Sequence, residues 1–173
     1  MVIESSLSQS IAIVATDASI KNNVATSISH MHISNHPLIK TLYHAAFVTS
    51  AEAELFAIRC GINQASFKEN ISKIIVFTDS IHVAKKIFDP SSHPLQIHVV
   101  AILNKLQQFF SRDSNNSIEF WECSIHLNWH LHKAVNLETK ASDPMPVYPY
   151  KTSWDYSKKT KCDDILNNWK ITF

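Results

Sequence analysis

Apolar and polar positions along the chain follow two periods. "IAIVAT" (11–16) is a short β-branched apolar run and predicts a first strand. "SIKNN" (19–23) is turn chemistry, and "VATSISHMHI" (24–33) alternates like a strand with one wet face. After the break at "SNHP", "TLYHAAFV" (41–48) supplies a third strand. The period then becomes helical. "TSAEAELFAIRCGINQA" (49–65) has Thr49 or Ser50 as cap and carries Leu55, Ile58 and Ile62 on one stripe. "KIIVF" (73–77) is a continuous apolar run, as a strand covered on both faces requires. "SIHVAKKIF" (80–88) predicts a short helix stopped by Pro90, and 94–111 a longer amphipathic one. "SIEFWE" (117–122) gives a fifth strand and 129–141 a last core helix.

The order βββαβααβα, a meander followed by crossovers, predicts an α/β domain with a mixed five-stranded sheet and helices packed on it. At residue 143 the composition changes. "DPMPVYPYKTSWDYSKK" holds three prolines and several aromatics, which reads as a linker ordered by contact and leading to a short helix, "CDDILNNWKI". The expected division is a domain over 8–142 and an appendage over 143–173.

Composition narrows the chemistry. With 173 residues, 45% of them hydrophobic, the chain supports one well-buried core. Its net charge of +1 creates no global basic field, so a polyanion would have to be held locally. Cys60, Cys123 and Cys162 are scattered and form no CxxC pair, which points to a reducing compartment, cytoplasmic or nuclear, and away from secretion. The apolar runs near the N-terminus fall far short of a membrane span. The only glycine is Gly61, which excludes the glycine-rich phosphate loops of dinucleotide binders and P-loop enzymes.

Two apolar strands run straight into an aspartate, Asp17 and Asp79. If the first and fourth strands are parallel neighbours, about 4.8 Å apart, these carboxylates meet at one end of the sheet. Glu54, one turn into the preceding helix, can lean over the same place. Three converging acids without a basic partner repel one another, and an oxygen-only set of hard ligands suits Mg²⁺ or Mn²⁺. Either aspartate alone is also what a turn requires, and Asp79 alone would serve as an N-cap.

"TDASIKNN", "TSAEAELFAI" and "IVFTDSIHVAKKI" resemble, in order, the three acidic motifs of ribonuclease H domains. The chain is most similar to the ribonuclease H domains attached to reverse transcriptases of fungal non-LTR retrotransposons. The tail "SWDYSKKTKCDDILNNWK" resembles the segment C-terminal to the domain in those elements. This resemblance implies a ribonuclease H-like sheet whose second strand is antiparallel, and endonucleolytic cleavage of the RNA strand of RNA–DNA hybrids. It implies two Mg²⁺ ions, with Mn²⁺ as substitute, Asp17 bridging both while Glu54 and Asp79 complete the leaving-group side. It also points to an upstream reverse transcriptase domain as partner; no membrane and a monomeric state are expected of the chain itself.

The chain departs from the family pattern in its last core helix. The fourth acid is replaced by Asn136, with Lys140 four residues on. The amide keeps a carbonyl oxygen and loses the charge. Glu138 lies about 200° around the helix from that slot. His126 is the nearest match to the family's loop histidine, in a loop without glycine; His130 and His132 are alternatives, and each of the three also reads as a packing or surface residue. Ser19, Asn22, Asn23 and Ser80 lie near the predicted carboxylate end, where they could hydrogen-bond a hybrid's sugars or phosphates, or serve only as turn and cap residues. The alternative function is a degenerate, non-catalytic nucleic-acid-binding or structural module. His30, His32 and His36 are read as surface histidines. "SKKTK" (157–161) is read as a solvated charge run beside a docked aromatic.

Overall fold

Five strands pair into one sheet in the computed structural model, which describes residues 9–91, 95–123, 129–142, 153 and 156–163. The elements are β1 (Ile11–Lys21), β2 (Val24–Ile33), β3 (Ile39–Ala46), α1 (Ser50–Ser66), β4 (Lys73–Thr78), α2 (Ile81–Lys85), α3 (Gln96–Arg112), β5 (Ser117–Glu122) and α4 (His130–Ala141). A 3₁₀ turn, Lys86–Phe88, extends α2, and residues 156–163 are also helical. The sheet order is β3-β2-β1-β4-β5. β2 is antiparallel to both neighbours, whereas β1, β4 and β5 are parallel. This is the predicted mixed sheet with an antiparallel second strand.

The central position of β1 explains its continuous apolar run. Ala12 and Val14 join the core under α1 and α3, while Ile13 and Ala15 join a smaller core with Leu131 and Val135 of α4. Gly61 sits where α1 crosses β1. A Cβ added there would lie 2.2 Å from Val14 Cγ1, so only glycine allows this approach.

Three expectations need correction. First, β1 does not end at residue 16; it pairs with β2 as far as Lys21↔Val24, and Asp17 lies inside the strand. The turn shrinks to Asn22 and Asn23, with φ of 51° and 63°, the left-handed pair that a two-residue hairpin requires and Asn tolerates. Second, β2 has no wet face. α1 covers one side and α4 reaches the other, so Thr26, Ser27 and Ser29 are buried. Two of these hydroxyls find partners in the interior: Ser27 Oγ donates to Ala53 O at 2.7 Å, and Thr26 Oγ1 pairs with His44 Nδ1 at 3.1 Å. Third, His30 is not a surface residue. It is fully buried, with Nε2 2.9 Å from Glu138 Oε2 of α4. His32 is half-buried and His36 exposed.

α1 begins with a reciprocal cap. Glu52 N donates to Thr49 Oγ1 at 3.2 Å, and Thr49 N donates to Glu52 Oε2 at 2.7 Å. The tail docks on this cap: Ser153 Oγ donates to Glu52 Oε2 at 2.8 Å, and Tyr156 packs edge-on against Phe47. Lys158, Lys159 and Lys161 are exposed. No helix among the described residues is long and apolar enough to cross a membrane.

Candidate metal centre

The parallel register between β1 and β4 ends at Ala15↔Phe77. Two residues beyond that pair lie Asp17, still in β1, and Asp79, just past the end of β4, and Thr16 Oγ1 holds the chains together there by donating to Phe77 O at 3.3 Å. Asp79 follows the last residue of β4, so its side chain stands at the sheet's end. It does not cap α2. Ser80 occupies that position, no side chain caps the helix, and Ser80 Oγ instead donates to Asp79 Oδ1 at 3.3 Å. Glu54 comes from the second turn of α1, the helix that lies over β1.

One oxygen from each of Asp17, Glu54 and Asp79 lies within 4.8 Å of the others. Asp17 is 5% exposed and Glu54 9%, while Asp79 is half-buried. No lysine or arginine ion pair among the described residues involves any of the three. Glu54 Oε2 is buried and has no hydrogen-bond partner. Burial, then the charges of Asp79 and Asp17, push the Glu54 carboxyl up to about 9. Burial also raises Asp17; Asp79 adds to this, while the Thr139 hydroxyl, His132 and the Ala18 N–H oppose it. The acids therefore share an uncompensated charge that protons or a cation must offset. The all-oxygen donors and the orphaned Glu54 oxygen fit a hard divalent cation.

The other predicted residues are spread over α4, the seam between β1 and α4, and the hairpin tip, with His126 outside the described residues. Asn136 is half-buried on α4, the helix that meets β1 at Asp17. Glu138 points elsewhere, pairing with His30 and with Lys40 of β3, as its place on the helix predicts. Ser19 Oγ donates to Thr139 O at 3.0 Å, so its hydroxyl ties β1 to α4. Asn22 and Asn23 form the exposed hairpin tip, and Asn23 Oδ1 accepts from Tyr156 Oη at 3.3 Å.

Of two neighbours of Asp17 on α4, sequence reasoning missed Thr139 and named His132 only as an alternative to the loop histidine. Thr139 donates to Asp17 Oδ2, and buried His132 is close enough to oppose the rise of the Asp17 carboxyl. Helical spacing held the signal: His132, Val135 and Thr139 recur on the face of α4 that carries Leu131 into the core.

Comparison with known proteins places the chain. Residues 37–125 match a family described as reverse transcriptase-like, a span that includes Glu54 and Asp79 but neither Asp17 nor α4. No curated protein sequence matches. Among solved structures, RNase H1 from the halophilic archaeon Halobacterium salinarum superposes with a TM-score of 0.58 at 15% identity. That match covers 75% of this chain and 97% of the other. An N-terminal RNase H domain from Mycobacterium tuberculosis, solved as a fusion protein, gives 0.59 at 17% identity, covering 76% and 94%. At these identities the likeness is one of fold.

Proposed function

The chain belongs to the reverse transcriptase-like family and has the ribonuclease H fold, and from that premise we propose that it is a metal-dependent endonuclease acting on the RNA strand of RNA–DNA hybrids. The observation that carries this reading is the meeting of Asp17, Glu54 and Asp79 at the end of β1 and β4, with a buried Glu54 oxygen unpartnered. Asp17, Glu54 and Asp79 would hold divalent cations, Mg²⁺ or Mn²⁺. Ions held by these three acids would supply Lewis-acid chemistry, activation of water and compensation of charge on a leaving oxygen. Asp17 is the central acid, flanked by α1 and α4. Glu54, held by a capped and closely packed helix, presents its carboxylate from one side. Asp79, steadied by Ser80, presents its own from the strand end. The hairpin tip at Asn22 and Asn23 is exposed beside the tail helix and available to a duplex.

Asn136 reduces this activity, because an amide in place of a carboxylate removes one negative charge from an oxygen-only site. The same substitution favours the second reading, a non-catalytic hybrid-binding or structural module. A labelled RNA–DNA hybrid incubated in Mg²⁺ and then Mn²⁺, beside single-stranded RNA and duplex DNA, separates the two. Cleavage confined to the hybrid, stronger in Mn²⁺, raised by Asn136→Asp and lost in Asp79→Asn, is expected. Hybrid binding with no cleavage by either the unmutated chain or Asn136→Asp would select the non-catalytic reading.

A further inference from the structure

We infer that Thr139 is a positioning residue for the metal centre, its hydroxyl holding Asp17 Oδ2 so that Oδ1 is the oxygen left for a cation; this rests on the reading of Asp17, Glu54 and Asp79 as metal ligands. Thr139 is fully buried in the last turns of α4, and its hydroxyl donates to Asp17 Oδ2. The Thr139 hydroxyl is joined at Asp17 by the backbone N–H of Ala18.

The contact belongs to a regular seam. Asp17, Ser19 and Lys21 alternate on one face of β1, and each meets the end of α4. Thr139 Oγ1 reaches Asp17, Ser19 Oγ donates to Thr139 O at 3.0 Å, and Lys21 Nζ donates to Lys140 O. Three successive same-face positions of the strand thus fix the helix at the level of Thr139.

The physical need is rotational. The last torsion of an aspartate side chain is broad and roughly two-fold, so its carboxylate plane is poorly set by its own rotamer. A hydroxyl on a helix tied to the same strand sets that plane. Thr139 Oγ1 also lies 2.8 Å from Val135 O and 3.1 Å from Asn136 O, yet it has one hydrogen to give. A charged carboxylate is the stronger acceptor of the three. When Asp17 is ionised, as a metal ligand must be, the hydroxyl serves Asp17.

The test uses the full chain and the metal alone, with Mg²⁺ and Mn²⁺ titrated against melting temperature, and hybrid cleavage followed in parallel. Thr139→Val keeps the shape and removes the hydroxyl; Thr139→Ser keeps the hydroxyl. In Thr139→Val the metal concentration for half-maximal stabilisation should rise roughly tenfold or more, the usual cost of removing a group that orients a metal ligand. Its metal-free melting temperature should stay close to that of the unmutated chain, and Thr139→Ser should restore the metal response. If valine prevents folding, Thr139→Ala, which cannot overpack the site, takes its place with the same expected loss. A Thr139→Val or Thr139→Ala protein that responds to metal like the unmutated chain would overturn the inference while leaving the metal centre intact. No metal response in the unmutated chain would overturn both.

Discussion

α1 and α4 both lie against β1, and each brings a polar side chain to Asp17, but they do so with opposite chemistry. α1 brings Glu54, a second buried acid that raises the charge of the site. α4 brings Thr139 and His132, which lower the Asp17 carboxyl and so ease its ionisation. The anchoring differs too. α1 is held by apolar contact at Gly61 and by a reciprocal N-terminal cap. α4 is held by a smaller core and by polar ties: Ser19 and Lys21 to its end, His30 and Lys40 to Glu138. Packing forces the repelling acids together from one side, and hydrogen bonds orient the central acid from the other. Destabilised charge and imposed geometry are therefore supplied by different helices and can be varied separately.

The largest effect is expected where the charge is raised. The folded-state value of about 9 for Glu54 lies above its ordinary 4.5, so the folded metal-free chain binds this proton more tightly than the unfolded chain. Its contribution to stability is complete below about pH 4.5 and is lost as pH rises towards 9. Asp17 acts in the same direction. Buried His30 acts oppositely, because burial lowers its pKa. Denaturant unfolding in chelator should show a loss on the order of several kcal/mol across this range. Glu54→Gln should remove most of that slope, and Mg²⁺ should reduce it in the unmutated chain. Equal slopes in the two proteins would break the contrast between the helices.

Packing is next in size. Gly61→Ala forces a methyl group onto Val14 and should cost about 1–3 kcal/mol by thermal unfolding, despite alanine's better helix propensity. Val14→Ala in the same chain should recover part of the loss. On the α4 side, Glu138→Gln removes a charge-assisted partner from buried His30. Because the Glu138 side chain is 39% exposed, the expected cost is smaller, about 1 kcal/mol. The smallest effect should follow Tyr156→Phe. This change removes the exposed 3.3 Å bond to Asn23 and leaves the ring against Phe47, for a loss of about 0.5 kcal/mol in urea unfolding.

The mixed five-stranded sheet and three converging acids were legible because they rest on local signals. Apolar runs mark β1 and β4, the two aspartates follow at matching offsets, and the capping pattern around Thr49 and Glu52 starts α1 within a turn of Glu54. The misread features depend on partners distant in sequence. β2 looked half-wet because Thr26, Ser27 and Ser29 are polar, but small hydroxyls can be buried when a backbone carbonyl or an imidazole nitrogen is opposite. His30 is separated by 108 residues from the Glu138 carboxylate that meets it, and Thr139 by 122 from Asp17. Periodicity shows which face of α4 turns inward; it does not show which strand residue waits there. The alternative of Asp79 as a helix cap fails by a single position, since Ser80 stands at the N-cap, no side chain caps the helix, and the Asp79 carboxylate is left for the site.

Glu54 and Gly61 are seven residues apart on α1, two turns and about 10 Å along the axis. Asp17 and Val14 are three residues apart on β1, also about 10 Å. The two strand residues lie on opposite faces, Val14 under α1 and Asp17 towards α4, so α1 touches the strand at Gly61 and reaches Asp17 only around the strand's end, through the Glu54 carboxylate. A carbon atom inserted at Gly61 would act as a shim beneath one end of a beam, whose other end carries the Glu54 carboxylate. The close approach of α1 to β1 that the chain's single glycine allows is made in the core, two turns from the Glu54 carboxylate that the same helix carries over the strand's end.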